Sequence, residues 1–234
     1  MAKRGMATVL VTGANRGIGL ALCRRFVKRG DAVVAVCRTT SPDLDALAAT
    51  GAGKVRIEAG VDVTQDAPVA ALADHLAGTR LDLLVLSAGI LRPDDLDSAG
   101  NAGWEDLRAQ IEVNAIAPVR VARALRPLLH DGSKIAAITS RMGSIADNGS
   151  GGYYGYRMSK AALNAAAVSL SRDLRLAGIA VAILHPGFVR TEMTGGNGNI
   201  TADESARLLI ERIDGLSLAT SGTFWHASGE VLPW

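Results

Sequence analysis

The stretch Thr12-Gly13-Ala14-Asn15-Arg16-Gly17-Ile18-Gly19 decides the fold of this 234-residue chain. It follows the apolar run Ala7–Thr12 and leads into a helical pattern over Gly17–Arg29. Glycines at such a turn let backbone N–H groups approach a pyrophosphate at the helix N-terminus. The stretch therefore predicts a dinucleotide site, and its alternative is an ordinary strand–helix turn.

Short β-branched runs alternate with longer helical patterns along the rest of the chain. Most runs are almost continuously apolar, which is typical of parallel strands covered on both faces. The alternation predicts one domain over residues 1–234, a single-domain α/β Rossmann fold with a doubly wound, seven-stranded parallel sheet and helices on both faces. The predicted strands are Ala7–Thr12, Ala32–Cys37, Lys54–Glu58, Leu81–Leu86, Lys134–Thr139, Ile179–Leu184 and Thr223–His226. The predicted helices are Gly17–Arg29, Pro42–Thr50, Asp66–Ala77, Gly103–Leu129, Gly155–Ala177 and Thr201–Asp214.

Composition narrows the classes of function. The net charge of +2 gives no electrostatic reason to expect nucleic acid or an anionic membrane as a partner. No apolar run approaches the roughly 18 to 20 residues that span a bilayer, and no secretory signal is recognisable. The isolated cysteines Cys23 and Cys37 predict a reduced, cytoplasmic protein. The scattered histidines have no cysteine partners at metal spacing, so no metal site is expected.

Tyr156 and Lys160 form the candidate catalytic pair. They are four residues apart in the predicted helix Gly155–Ala177, so they share one face of that helix. A nearby ammonium stabilises phenolate, and lowering the phenol pKa by two to three units needs roughly 3 to 4 kcal/mol. Tyr156 would then protonate a carbonyl oxygen during reduction, or take the alcohol proton during oxidation. The alternative for this common spacing is a pair of surface residues.

Ser140 and Asn114 are the supporting candidates. Ser140 ends the fifth predicted strand, where its hydroxyl is able to hydrogen-bond a substrate carbonyl; a simple turn residue is the alternative. Asn114 falls on the apolar stripe of the helix Gly103–Leu129, and Pro118 deprives its backbone carbonyl of the helical donor. A water held there would link Lys160 to solvent as a proton path. The alternative is a proline kink with a satisfied core asparagine.

Charge at the end of the second strand predicts the choice of cofactor. The strand ends Val36-Cys37-Arg38-Thr39, without the carboxylate that usually holds the ribose 2′-hydroxyl of NAD. Arg38 and Arg16 instead suit a 2′-phosphate, so NADP(H) is expected. Asp62 is expected either to accept a hydrogen bond from the adenine amine or to serve as a turn residue. The residues predicted to line the cofactor site in the first half of the chain are Gly13, Asn15, Arg16, Gly17, Ile18, Gly19, Arg38, Asp62, Val63, Ser87, Ala88 and Gly89.

Together these residues resemble the short-chain dehydrogenase/reductase family over nearly the whole chain. The motifs are T-G-x-x-x-G-x-G at Thr12–Gly19, the pair Ala88-Gly89, and the segment Pro186–Thr191. The resemblance implies the catalytic set Asn114, Ser140, Tyr156 and Lys160, of which Tyr156 and Lys160 also contact the cofactor. It further implies contacts to the nicotinamide from Pro186, Gly187, Val189 and Thr191.

The stretch Gly151–Asn164 and the tail Leu232-Pro233-Trp234 look like the branch that contains sniffer-type carbonyl reductases and C-factor-like signalling proteins. One departure is Leu86-Ser87, where the family usually has two asparagines that tie neighbouring strands together and order the cofactor loop. This puts the local geometry in doubt without removing a reacting group.

The first functional hypothesis is an NADP(H)-dependent oxidoreductase that reduces aldehydes or ketones to alcohols by hydride transfer, with a tyrosine as general acid. The alternative is an NADP(H)-binding signalling or regulatory protein of the C-factor type, with little or no catalysis. A sugar-nucleotide epimerase or dehydratase would need a substantial second domain. The expected partners are a small-molecule substrate and further copies of the chain, because the resemblance implies a homodimer or homotetramer.

Overall fold

A computed structural model describes residues 6–96 and 101–234. The strands are β1 Thr8–Thr12, β2 Ala32–Val36, β3 Val55–Glu58, β4 Leu81–Leu86, β5 Leu129–Ile138, β6 Ala180–His185, β7 Val189–Arg190, β8 Ile200–Thr201 and β9 Phe224–His226. The main sheet has seven parallel strands in the order β3-β2-β1-β4-β5-β6-β9, and β7 and β8 pair separately. The helices are α1 Gly17–Arg29, α2 Pro42–Thr50, α3 Asp66–His75, α4 Asn101–Ile111, α5 Ala117–Leu125, α6 Tyr154–Asp173 and α7 Ala202–Asp214. The predicted seven-stranded, doubly wound α/β sheet is confirmed.

Both faces of the sheet are buried, which explains why its strands are almost uniformly apolar. On one face, α1 and α7 pack through side chains such as Phe26 and Leu209. On the other face, α3, α5 and α6 contribute Leu72, Leu125 and Leu163. The apolar stripes of these helices therefore fix the sheet between two layers.

The region of the predicted helix Gly103–Leu129 differs from expectation. After α4 the chain widens into a π-helical turn over Glu112–Ile116 and then continues as α5, with Pro118 in its first turn. Pro118 has no N–H to give to the preceding turn, so the irregularity lies where that donor is missing. Leu129 belongs to β5, which begins there rather than at Lys134, with a register shift against β4.

The order of the strands places a crevice at the carboxyl ends of β1 and β4. Successive strands run outward from β1 through β2 to β3, and the chain then returns to β4 on the other side of β1. Ligands of doubly wound sheets bind at such a reversal point. Among the described residues, no helix is long and apolar enough to cross a membrane.

Candidate active site

The turn between β1 and α1 can hold only glycine at two of its positions. Gly13 has φ +67°, and a Cβ added there would lie 2.8 Å from the Cα atom of Ala88. A Cβ on Gly19 would lie 2.1 Å from the carbonyl oxygen of Gly13. The backbone of the turn therefore packs directly against the loop after β4, and the N-terminus of α1 opens beside it.

Thr12 ties this turn to the loop that follows β4. Its hydroxyl accepts hydrogen bonds from the backbone N–H groups of Ser87, at 3.0 Å, and Ala88, at 3.2 Å. The same hydroxyl donates to the carbonyl oxygen of Val85. A side chain from β1 thus orders the loop in which the family's usual asparagines are replaced by Leu86 and Ser87.

Arg38 and Asp62 lie beyond the carboxyl ends of β2 and β3. The side chain of Arg38 is exposed. Asp62 Oδ1 accepts hydrogen bonds from the Thr64 hydroxyl, at 2.7 Å, and the Thr64 backbone N–H, at 2.9 Å. These bonds, the hydroxyl first, hold the pKa of Asp62 below its usual value. Asp62 therefore has the geometry of a turn residue, and Val63 beside it is buried.

Arg16 has a partner that sequence reasoning missed. Its Nη1 atom lies 2.5 Å from Glu192 Oε2, in the short helix that follows Thr191. Asn15 next to it donates from Nδ2 to the carbonyl oxygen of Thr39 and thereby fixes the turn against the end of β2. A cavity of about 560 Å³ adjoins these residues and is lined by both Arg16 and Glu192.

Tyr156 and Lys160 lie together on α6, buried beneath the crevice. Their side chains share the same face of the helix, with Lys160 Nζ 5.8 Å from the centre of the Tyr156 ring. Lys160 Nζ donates to the carbonyl oxygen of Ile138 at 3.0 Å. A Cβ on Gly89 would lie 3.7 Å from the same nitrogen, so the loop after β4 also reaches this pair.

Burial governs the acidity of both groups. It raises the pKa of Tyr156 to about 12, and a hydrogen bond from Ser140 opposes that rise. Burial lowers the pKa of Lys160 to about 8. In this structure, the loss of solvation outweighs the lowering of the Tyr156 pKa that the four-residue spacing suggests.

Ser140 and Asn114 lie close to this pair, on two other elements of the fold. Ser140 follows β5, hydrogen-bonds with Tyr156, and accepts a bond from the Met142 backbone N–H. Asn114 is fully buried in the π-helical turn, and its amide exchanges two bonds of 2.8 Å with the backbone of Ile90. Its Nδ2 also donates to Ser159 on α6. The predicted buried, satisfied amide is thus present, and all four predicted catalytic residues come together.

The segment after β6 closes the other side of the crevice. Ser205 on α7 donates to the carbonyl oxygen of Pro186, while Gly187 turns with φ +89°. Val189 is buried in β7. The methyl carbon of Thr191 would lie 3.5 Å from a Cβ on Gly17, so this segment faces the glycine turn around Gly17 and Ile18.

Gln110 and Asp94 also shape the site and were not predicted. Gln110 exchanges hydrogen bonds with the backbone N–H and carbonyl of Arg92, as Asn114 does with Ile90. Asp94 accepts from the backbone N–H of Gly155 and so caps the first turn of α6. The available signal for Gln110 is its position four residues before Asn114, on the same helical face. Among the described residues, no cluster of three or more His, Cys, Asp or Glu side chains is suited to a metal ion.

A doubly wound parallel sheet with a glycine turn at its reversal point defines this chain as a Rossmann-fold protein. Residues 7–200 match the family model described as short chain dehydrogenase. The chain therefore belongs to the short-chain dehydrogenase/reductase family, a family of oxidoreductases.

Two curated relatives illustrate the range of this family. The 1-hydroxy-2-glutathionyl-2-methyl-3-butene dehydrogenase of Rhodococcus sp. (strain AD45) is 42% identical over 98% of this chain and 100% of the relative. The C-signal protein of Myxococcus xanthus is 41% identical over 70% of this chain and 99% of the relative. The resemblance to C-factor-like proteins is thereby confirmed.

Two solved structures superpose over 98% of this chain. NADPH-bound carbonyl reductase from chicken fatty liver is 32% identical, with a TM-score of 0.88 over 99% of that protein. Carbonyl reductase Sniffer of D. melanogaster is 28% identical, with a TM-score of 0.89 over 100% of that protein. The resemblance to sniffer-type carbonyl reductases is confirmed.

Proposed function

We propose that this protein is an NADP(H)-dependent reductase of aldehydes or ketones. The observation that carries the proposal is the meeting of Ser140, Tyr156 and Lys160 as a buried cluster beside the loop after β4, which packs against the glycine turn. A protein that only binds a nucleotide has no need of a desolvated phenol and amine at that position. The NADPH-bound carbonyl reductase of similar fold supports the same conclusion.

The residues present fit a dinucleotide with a 2′-phosphate. Gly13 and Gly19 leave no room for a side chain, so the backbone of the turn can lie against a pyrophosphate. Arg38 is exposed at the end of β2, where a phosphate on the ribose would meet its guanidinium, with Arg16 as the second candidate. Asp62 Oδ2 is directed to the adenine in this proposal, because Oδ1 is engaged by Thr64.

The nicotinamide end lies between two further elements. Pro186, Gly187, Val189 and Thr191 form one wall in this proposal, and Ser87, Ala88 and Gly89 form the other. When bound, the reduced nicotinamide supplies the hydride for the carbonyl carbon. The protein supplies the proton and holds the carbonyl oxygen in place.

Tyr156 is the proton donor in this mechanism. Because burial raises its pKa to about 12, the phenol is protonated at neutral pH and ready to donate as the carbonyl oxygen gains negative charge. Ser140 holds the carbonyl oxygen beside it. Lys160, with a pKa of about 8, still carries its proton at pH 7 and can restore that of Tyr156. The backbone carbonyl of Asn114 and a water complete the path to solvent.

The decisive experiment compares wild type with Tyr156→Phe on a panel of aldehydes and ketones, following NADPH oxidation. The panel includes a glutathionyl carbonyl compound, because the Rhodococcus relative is named for a glutathionyl substrate. We expect turnover to fall by about 10²-fold or more in the variant, while NADPH still binds. Unchanged turnover in Tyr156→Phe would refute the mechanism.

The competing function is an NADP(H)-binding signalling or regulatory protein with little or no catalysis, which the buried set of Ser140, Tyr156 and Lys160 does not favour. NADPH binding without turnover of any panel compound would support that function against ours.

We further propose that the chain acts as one domain, in a homodimer or homotetramer in the cytoplasm. Trp104 on α4 and Met158 on α6 expose apolar side chains on neighbouring helices, as a subunit contact would require. Cys23 and Cys37 are buried free thiols, which suits a reducing compartment. Sedimentation analysis of wild type and Trp104→Glu tests the assembly, since a monomeric wild type would contradict it.

A further inference from the structure

Arg16 and Glu192 join the two sides of the cofactor crevice. Arg16 belongs to the glycine turn before α1, and Glu192 follows Thr191 in the segment that covers the crevice. Their side chains are exposed, at 63% and 74%, and they pair at 2.5 Å across 176 positions of sequence. The contact of Thr191 with the glycine turn lies beside this pair. The ion pair therefore fastens the segment after β6, called the cover below, to the glycine turn.

The backbone that carries Glu192 is held in place by hydrogen bonds of its own turn. Its short helix is braced by Thr194, whose hydroxyl accepts from the Thr191 backbone N–H and donates to the carbonyl oxygen of Val189. The backbone N–H of Gly196 donates to the carbonyl oxygen of Thr191 and closes the turn. Arg16 instead carries a long side chain beside the cavity of about 560 Å³. The guanidinium of Arg16 is thus a group that a ligand in this cavity would contact.

The other carboxylates that line this cavity already have partners of their own. Asp43 pairs with Arg24 at 3.1 Å, and Asp203 pairs with Arg25 at 2.5 Å. Glu192 is therefore the carboxylate that faces the guanidinium of Arg16. A phosphate on the ribose would have to draw that guanidinium away from it.

We propose that Glu192 is a specificity-determining residue that competes with the 2′-phosphate of the cofactor for Arg16. The inference rests on the proposed use of NADP(H). A phosphate carries more negative charge than one carboxylate and accepts bidentate bonds from arginine, so it takes Arg16 at a cost. NADH has no such phosphate and leaves the ion pair, and the fastened cover, in place. Glu192 thus makes the preference for NADPH over NADH smaller. The segment after β6 is released from the glycine turn only when the 2′-phosphate takes Arg16.

The test is a set of binding titrations that need no turnover. Adenosine 2′,5′-bisphosphate and 5′-AMP probe the adenosine end alone, and NADPH and NADH probe the whole site. Exposed ion pairs contribute little free energy, so we expect Glu192→Gln to tighten binding of the bisphosphate and NADPH by about twofold to fivefold. Binding of 5′-AMP and NADH is expected to change by less than about 1.5-fold, since these ligands do not compete for Arg16.

Two further variants make the result specific. In an Arg16→Gln background, Glu192→Gln is expected to have no effect, because the contested cation is gone. Glu211→Gln is the matched control, since Glu211 is an exposed glutamate that pairs with Arg207 on α7, away from the crevice. Weaker NADPH binding in Glu192→Gln, equal changes for both cofactors, or an effect that persists without Arg16 would each overturn the inference. Failure of wild type to bind NADPH at all would instead overturn the proposed function.

Discussion

Lys160→Met is expected to make the protein more stable while making it inactive. Lys160 is 5% exposed and its burial lowers its pKa to about 8. The unfolded lysine titrates near its ordinary value of 10.5, so between pH 8 and 10.5 the unfolded state binds more protons than the folded state. The free energy of unfolding therefore rises with pH across that window. At neutral pH the buried charge destabilises the folded state, and methionine would remove that destabilisation.

The size of the effect follows from the two pKa values. Each pKa unit corresponds to about 1.4 kcal/mol, so the fall from 10.5 to about 8 costs up to about 3 kcal/mol at pH 7. Methionine has a similar length but leaves the Ile138 carbonyl without its donor, which costs about 1 kcal/mol. We expect a net gain of about 2 kcal/mol at pH 7, declining by about 2 kcal/mol by pH 9.5.

Urea unfolding of the cofactor-free protein, at one protein concentration and several pH values from 7 to 9.5, measures this difference. Tyr156→Phe serves as an inactive control that keeps the buried amine, so its stability relative to wild type should not follow the same pH curve. Lys28→Met removes an exposed lysine from α1 and should change little. A Lys160→Met protein that is less stable at pH 7, or a difference independent of pH, would refute the reasoning.

Three other substitutions test separate parts of the site. Arg38→Asp should weaken NADPH binding far more than NADH binding, measured by fluorescence titration, because only NADPH carries the 2′-phosphate; equal losses would reject the assignment. Asn114→Leu removes the amide bonds that hold the turn carrying the Asn114 carbonyl, so kcat should fall with little change in cofactor affinity, and normal turnover would show that these bonds do not position the proton path. Thr12→Val should lower the free energy of unfolding by about 1 to 3 kcal/mol and weaken the binding of both NADPH and NADH, because the N–H groups of Ser87 and Ala88 lose their acceptor. Unchanged urea unfolding would argue against a stabilising role of these hydrogen bonds.

The sequence predicted what depends on local pattern. The glycine turn and the bounds of α1, α2 and β4 follow from apolar runs, turn residues and spacing over a few positions. The shared face of Tyr156 and Lys160 follows from helical periodicity alone. These features need no knowledge of distant residues, so one sequence is enough to find them.

Other features depend on contacts between distant parts of the chain. The tie from Thr12 to Ser87 and the pairing of Arg16 with Glu192 join residues that no local pattern connects. The pKa of Tyr156 depends on how deeply the side chain is buried, which the four-residue spacing to Lys160 does not convey. The early start of β5 likewise reflects its pairing with β4 rather than its own composition.

The paired amides of Gln110 and Asn114 bear on how this site can change during evolution. On Arg92 and Ile90 these amides bond only to main-chain atoms, as a neighbouring strand would. Mutations that alter the side chains of Arg92 and Ile90 therefore leave these hydrogen bonds intact. The segment beside the reacting groups can therefore change its side chains and keep its backbone position. Substrate preference can then evolve separately from the arrangement of the catalytic residues.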